Sequence, residues 1–183
     1  IDFSSYDLVV VFHAGIGQDF SLPFLDPTPE DIPSTYVDNE MVLEYLGSPS
    51  ITIENHEITH GIILPESQNH LLFDIAETMF SDALEPCEYQ FGLTGTFALM
   101  IGFAVGIPPL WNIETGDRGI GVFGLMDQGS NNGRGICPSP PTAWTRIFAG
   151  WEYPSEVNFG SIVDLPSRGE GAAIKVPINN SEY

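Results

Sequence analysis

The opening stretch YDLVVVFHAG (residues 6–15) is a run of β-branched apolar residues closed by Ala-Gly, a pattern that predicts a strand buried on both faces. A loop rich in Pro and Asp follows, and then STYVDNEMVLEYLG (34–47) sets Val37, Met41, Val42, Tyr45 and Leu46 at helical spacing, with Ser34 or Asp38 as the cap and Gly47 as the stop. In GSPSITIENHEITHGIILPES (47–67) the period changes to two. Ile51 and Ile53 alternate with Thr52, and Ile58, His60, Ile62 and Leu64 alternate with Thr59, Gly61 and Ile63, which predicts strands with ENHE (54–57) as a hairpin turn and Pro49 and Pro65 as the limits. SQNHLLFDIAETMFSDALEP (67–86) places Leu72, Ile75, Ala76, Met79, Phe80, Ala83 and Leu84 on one stripe, an amphipathic helix with Ser67 or Asn69 before it and Pro86 after it. From Thr96 to Val105 the chain is apolar all round, which predicts a helix over 93–105 buried on every side, capped by Thr94 and ended by Gly106, with a buried strand as the alternative if the glycines outweigh the length. Strands and helices intermix, so the fold class is α/β (α+β).

With 183 residues, 43% of them apolar, the chain is long enough for one domain with a core. Its 25 acidic and 5 basic residues leave a formal charge of -20, and no Lys or Arg precedes Arg118. Nucleic acid is excluded as a partner because phosphate binding needs cationic groups to displace counterions, and an anionic membrane surface is excluded on the same ground. No apolar run reaches the ~20 residues that span a bilayer, so no membrane insertion is expected. The carboxylates read as a solvated acidic face. LDPTPEDIPSTYVDNE (25–40) is dense in oxygen ligands without the spacing of a calcium loop, which leaves structural Ca2+ as a weaker expectation. Cys87 and Cys137 stand 50 positions apart, and in an oxidising compartment a bridge between them would contribute about 4 kcal/mol in the loop-entropy model.

HEITH (56–60) spells a zinc-binding pattern: on a helix, His56 and His60 would lie one turn apart and Glu57 would activate a metal-bound water. The surrounding residues oppose a helix. Thr and Ile lose χ1 freedom there, and Gly61 would sit in the helix interior at a cost of about 1 kcal/mol. A third ligand of the metzincin kind is also missing, because the places three and six residues after His60, which need Gly and His, hold Ile63 and Glu66; Glu66 could in principle ligate, but Pro65 before it opposes the required geometry. A surface hairpin is the expectation, and an active zinc metalloendopeptidase using His56, Glu57 and His60 is the alternative. His13 is expected to be a hydrogen-bonded structural imidazole and His70 an exposed side chain. No Gly-x-Ser-x-Gly elbow or Cys-His pairing occurs, and DQGSNNGRG (127–135) lacks the strand and helix that flank a phosphate cradle.

GIPPLWNIETGDRGIGVFGLMDQGS (106–130), followed by PTAWTRIFAGW (141–151), resembles the catalytic domain of secreted zinc metallopeptidases of the immune inhibitor A type. In that family a His-Glu-x-x-His helix runs into Gly-Leu-Pro-Asp-Leu-Tyr, then a Gly-Ile-Gly loop, a Met-containing turn, and a helix with Ala-Trp ending in Gly-Trp. YDLVVVFHAG and VPINNSEY (176–183) are similar to two of its strands. The resemblance implies a zincin-like mixed sheet with the buried central helix at 93–105 and flanking amphipathic helices. It also implies one metallopeptidase-like domain over 1–183 that is a piece of a longer extracellular protein.

Matched from Gly106 backwards, the family's first metal histidine falls on Leu99, its catalytic glutamate on Met100 and its second histidine on Phe103, and the Asp of Leu-Pro-Asp falls on Pro109. The resemblance leaves scaffold: Gly106, Pro108, Trp111, Met126, Trp144 and Trp151. Leucine and phenylalanine have no lone pair for Zn2+, and a thioether cannot take a proton from water at neutral pH. The resemblance, with these positions changed, therefore implies a non-catalytic, secreted or surface metallopeptidase-like domain without a cofactor, serving binding, adhesion or assembly, with a protein or peptide, or a second copy of itself, as partner.

Overall fold

A computed structural model describes residues 2–19, 30–68, 92–165 and 173–178. The chain divides into two compact units, Ile1–Ser139 and Pro140–Tyr183. The first is mixed α/β. A short 3-10 turn at Phe3–Ser5 precedes strand β1 (Val9–Gly17), β2 (Thr35–Val37), helix α1 (Asn39–Leu46), the strands β3 (Ile51–Ile53) and β4 (His56–Ile58), β5 (Gly61–Gln68) and helix α2 (Thr94–Ala104).

Sheet order is β1-β5-β2, with β1 parallel and β2 antiparallel to the central β5. Val10, Ile62 and Tyr36 form one row across all three strands. Successive strand residues alternate faces, so Ile62 and Leu64 share the face on which α2 lies. There Ile62, Leu64 and Met100 form the buried core, with Leu8, Val10, Tyr36, Leu99, Ile101, Phe103 and Ala104 packed against them. Each fully buried side chain of this size contributes roughly 1.5–3 kcal/mol relative to its exposed state.

β1 is an edge strand, and its expected burial on both faces is not found: Val11 is 51% exposed. Among the described residues α2 covers one face only. β1 also continues past Ala-Gly to Gly17. It does so through a bulge between His13 and Ile16, where Gly15 takes the left-handed conformation (φ 92°) that accommodates the extra residue. Pro65 does not end β5, which runs to Gln68. β2 stops opposite Ile63, so at Pro65 only the β1 side of the strand is paired and the missing N–H breaks no described ladder bond on the other.

α1 starts and stops where its punctuation predicts. Asp38 accepts the Met41 N–H at 2.9 Å, and Gly47 ends the helix at φ 68°. Val37, however, belongs to β2, and of the expected apolar stripe Val42 is buried while Tyr45 is 74% exposed. In α2, Gly95, Thr96, Met100 and Gly102 are buried whereas Phe97 and Val105 are exposed, so the helix is covered along a face rather than all round. Thr94 is its first residue, not a cap: the Gly95 N–H is satisfied at 2.8 Å by the Gly135 carbonyl instead. Its end is a Schellman turn, with Gly106 N–H on Phe103 O and Ile107 N–H on Gly102 O, both at 2.9 Å, and Gly106 at φ 81°.

The second unit contains helix α3 (Ala143–Phe148), capped by Thr142 through the Thr145 N–H at 3.1 Å, and the short parallel pair β6 (Ser155–Glu156) and β7 (Ile174–Lys175). Arg146 and the buried Glu152 form an ion pair at 2.5 Å. The helix expected over 67–86 falls largely outside the described residues, as do His70 and Cys87; Ser67 lies in β5. Cys137 is an exposed free cysteine.

Candidate functional site

HEITH lies on a hairpin. β3 and β4 pair Ile51 with Ile58, Thr52 with Glu57 and Ile53 with His56, and the chain reverses at Glu54 (φ 52°), where the Asn55 N–H donates to Ile53 O at 2.9 Å. His56 is half-buried in a cleft of about 210 Å³ lined by Asp2, Ser4, Glu54 and Asn55, among others. Bonds to the Ser4 side chain and backbone, with a smaller contribution from His56, hold the Asp2 carboxyl below its usual range. Glu57 is exposed, opposite Thr52. His60 lies beyond the end of β4, its Nδ1 3.0 Å from Thr59 Oγ1 and its ring tilted against Tyr36 at 6.3 Å. The structure thus gives the two imidazoles different neighbours, and no helical turn stacks them. Among the described residues no three His, Cys, Asp or Glu side chains converge as a metal-holding group.

Leu99, Met100 and Phe103 sit on α2, and their surroundings suit apolar groups. Met100 is in the core beside Ile62 and Leu64. Phe103 packs edge-on against Trp111 at 5.9 Å and tilted against Tyr36 at 6.4 Å, so an aromatic chain runs His60–Tyr36–Phe103–Trp111. Leu99 lines a cleft. Leu99 and Phe103 have no lone pair for zinc, and the thioether of Met100, buried in the core, cannot take a proton from water, so the metal that the family resemblance implies does not fit these positions.

Burial, and to a lesser degree the Asp38 carboxylate, raises the Tyr36 phenol above its ordinary value of 10.0. Both causes favour the neutral phenol in the fold. The associated stability is therefore fully present below the unfolded value near ~10 and lost as pH rises through the higher folded value. In an alkaline titration followed by phenolate absorbance, Tyr36 should contribute a late component, and Tyr36→Phe should remove it.

Beneath α2 the chain forms the turn expected to contain Met126. This side chain is fully buried, and a Cβ at Gly102 would lie 2.5 Å from its sulfur, so the absence of a side chain at Gly102 lets the turn nest under the helix. The next residue, Asp127, was not a candidate in the sequence, and it organises the whole loop. Its Oδ2 accepts the N–H groups of Gly119, Ile120 and Gly121 at 2.9, 2.8 and 2.8 Å, and its Oδ1 accepts the Gln128 N–H at 2.7 Å. The signal that could have found it is a lone acid closely following a Gly-Ile-Gly loop, whose consecutive amides need an acceptor. Leu110 N–H on Met126 O at 2.8 Å ties the Pro-Pro-Leu-Trp segment to the same turn. Gly106 leads into that segment, which begins at Pro108, and Pro108 and Pro109 are half-buried. Trp144 and Trp151, in the second unit, are exposed, and Trp144 stacks on Phe148 at 5.0 Å.

A cleft of about 380 Å³ opens between α2 and this loop, lined by Asp19, Leu99, Trp111, Gly116, Asp127 and the turn residues Gln128, Ser130 and Asn131. Asp19 belongs to a second polar cluster. It accepts the Ser34 N–H and hydroxyl at 2.6 and 2.7 Å and the Gln68 amide at 3.0 Å, while the same buried amide also reaches Thr96 Oγ1. Gln68 Oε1 and His13 Nε2 are buried with no partner among the described residues, although His13 Nδ1 lies 3.0 Å from Ala14 O. Comparison with protein-family models, curated proteins and solved structures finds no match to the chain.

Proposed function

We propose that this chain is a non-catalytic metallopeptidase-like domain of a secreted or surface protein, zincin-like in fold, that binds a protein or peptide without cutting it. The observation that carries this reading is the chemistry of one helix face. Where a zincin needs two imidazoles and a carboxylate on its active-site helix, α2 carries Leu99, Phe103 and Met100, packed into an apolar and aromatic layer. Apolar groups at such positions remove the cost of desolvating unmetallated ligands, so the scaffold is stable without a metal. No helix among the described residues is long and apolar enough to cross a membrane.

The hairpin geometry of His56, Glu57 and His60 argues against hydrolysis by that set. The reading predicts that the purified chain, supplied with zinc, cleaves an unstructured protein such as casein no faster than the His56→Ala/His60→Ala double variant does. Zinc-dependent cleavage that the double variant loses would overturn it.

A further inference from the structure

The cleft beside α2 combines three kinds of wall. Leu99 and the Trp111 indole are apolar, Asp19 and Asp127 bring two carboxylates, and Gln128, Ser130 and Asn131 bring amide and hydroxyl groups. No lysine, arginine or histidine is among the described residues that line it. Both carboxylates are held by hydrogen bonds, Asp127 by four backbone N–H groups and Asp19 by Ser34 and Gln68, so their positions are set before any ligand arrives. Within the described residues each Oδ1 accepts a single N–H, which leaves it acceptor capacity for a ligand donor.

These walls discriminate between ligand charges. An anion would meet two like charges. A purely apolar ligand would strip water from the carboxylates and return nothing, at a cost of several kcal/mol. A cation is attracted by the carboxylates, and it is tolerated by an indole wall better than an anion is. The volume lies at the small end of ligand sites, about 300–1,000 Å³, which suits a side chain rather than a folded surface.

We infer that this cleft is the seat of a lysine or arginine side chain from a basic protein partner. The inference rests on the reading of the domain as a binding module, and it specifies that partner's chemistry. A second copy of this chain is a poor source of the cation, since it has five basic residues in all and none before Arg118.

The test titrates the full chain with N-acetyl-lysine methylamide and N-acetyl-arginine methylamide, against the neutral norleucine and citrulline analogues, following the Trp111 indole N–H by NMR. The charged amides should shift that signal saturably and the neutral ones should bind at least about tenfold more weakly. Asp19→Asn should weaken the charged amides by about tenfold. That loss separates a site from diffuse attraction to a chain with 25 acidic residues, because one neutralised carboxylate among 25 hardly changes the overall field. Leu99→Lys, which tethers a cation in the cleft at a half-buried position, should abolish binding with the circular dichroism spectrum retained.

Equal binding of charged and neutral analogues would overturn the inference, as would an Asp19→Asn titration identical to the parent or undiminished binding by Leu99→Lys. Those results with no zinc-dependent cleavage would leave the binding-module reading standing. Zinc-dependent cleavage would sink that reading and leave the charge preference of the cleft to be judged on the titration alone.

Discussion

Asp127→Ala is expected to destabilise the first unit by about 3 kcal/mol, a drop in Tm of roughly 6–12 °C for a domain of this size. The substitution removes the acceptor of four N–H groups at once. Gly121 is buried, so its N–H cannot recover a bond from water, whereas the exposed Gly119 can. An unsatisfied buried donor costs about 1–3 kcal/mol, and bonds to a charged acceptor lie at the upper end. Asp127→Asn should fall between. Its amide oxygen can face the three loop N–H groups, but its NH2 then points at the Gln128 N–H. Thermal unfolding followed by circular dichroism checks both, and a Tm for Asp127→Ala within the error of the parent would show that the carboxylate does not hold the loop.

Gly95→Ala should cost about as much, through the opposite fault. A Cβ at Gly95 would overlap the Ser130 carbonyl oxygen and come within 3.3 Å of Pro138 Cβ. A backbone carbonyl cannot swing aside, so the start of α2 must lift from the 128–131 turn, and overpacking of this kind costs about 1–3 kcal/mol or more. The gain in helix propensity from Gly to Ala is only about 1 kcal/mol, so the clash decides the sign. Gly102→Ala is the comparison. It meets the flexible end of Met126 rather than backbone, at 2.5 and 2.8 Å, and should lose less. Urea unfolding of the three proteins orders them, and a Gly95→Ala protein as stable as the parent would contradict the close approach of helix and turn.

What the sequence made legible follows from local chemistry. Thr and Ile alternating between Pro49 and Gly61 produce the hairpin under HEITH, because strand-formers and turn residues agree there with no tertiary help. Asp38 and Gly47 bound α1, and Gly106 ends α2, since caps and left-handed residues act within a few positions of themselves. The misses are all matters of what lies across space. Pro65 reads as a stop, but β2 does not extend to it, so a central strand tolerates it. Val11 and Tyr45 read as core and are exposed, because an apolar pattern says which face would be buried, not whether another layer covers it. Asp127 was one acid among 25 until three consecutive amides were seen to converge on it. The positions Leu99, Met100 and Phe103 came from the resemblance alone. Their spacing singles out a helix face and by itself says nothing of a site.

The most direct measurement is the zinc content of the purified chain after exhaustive dialysis against zinc-free buffer. Leu99, Met100 and Phe103 on α2 supply no imidazole or carboxylate, and the hairpin gives His56 and His60 separate surroundings, so the expected result is substoichiometric metal that does not change in the His56→Ala/His60→Ala double variant. One zinc ion retained per chain, and lost in that variant, would contradict the account.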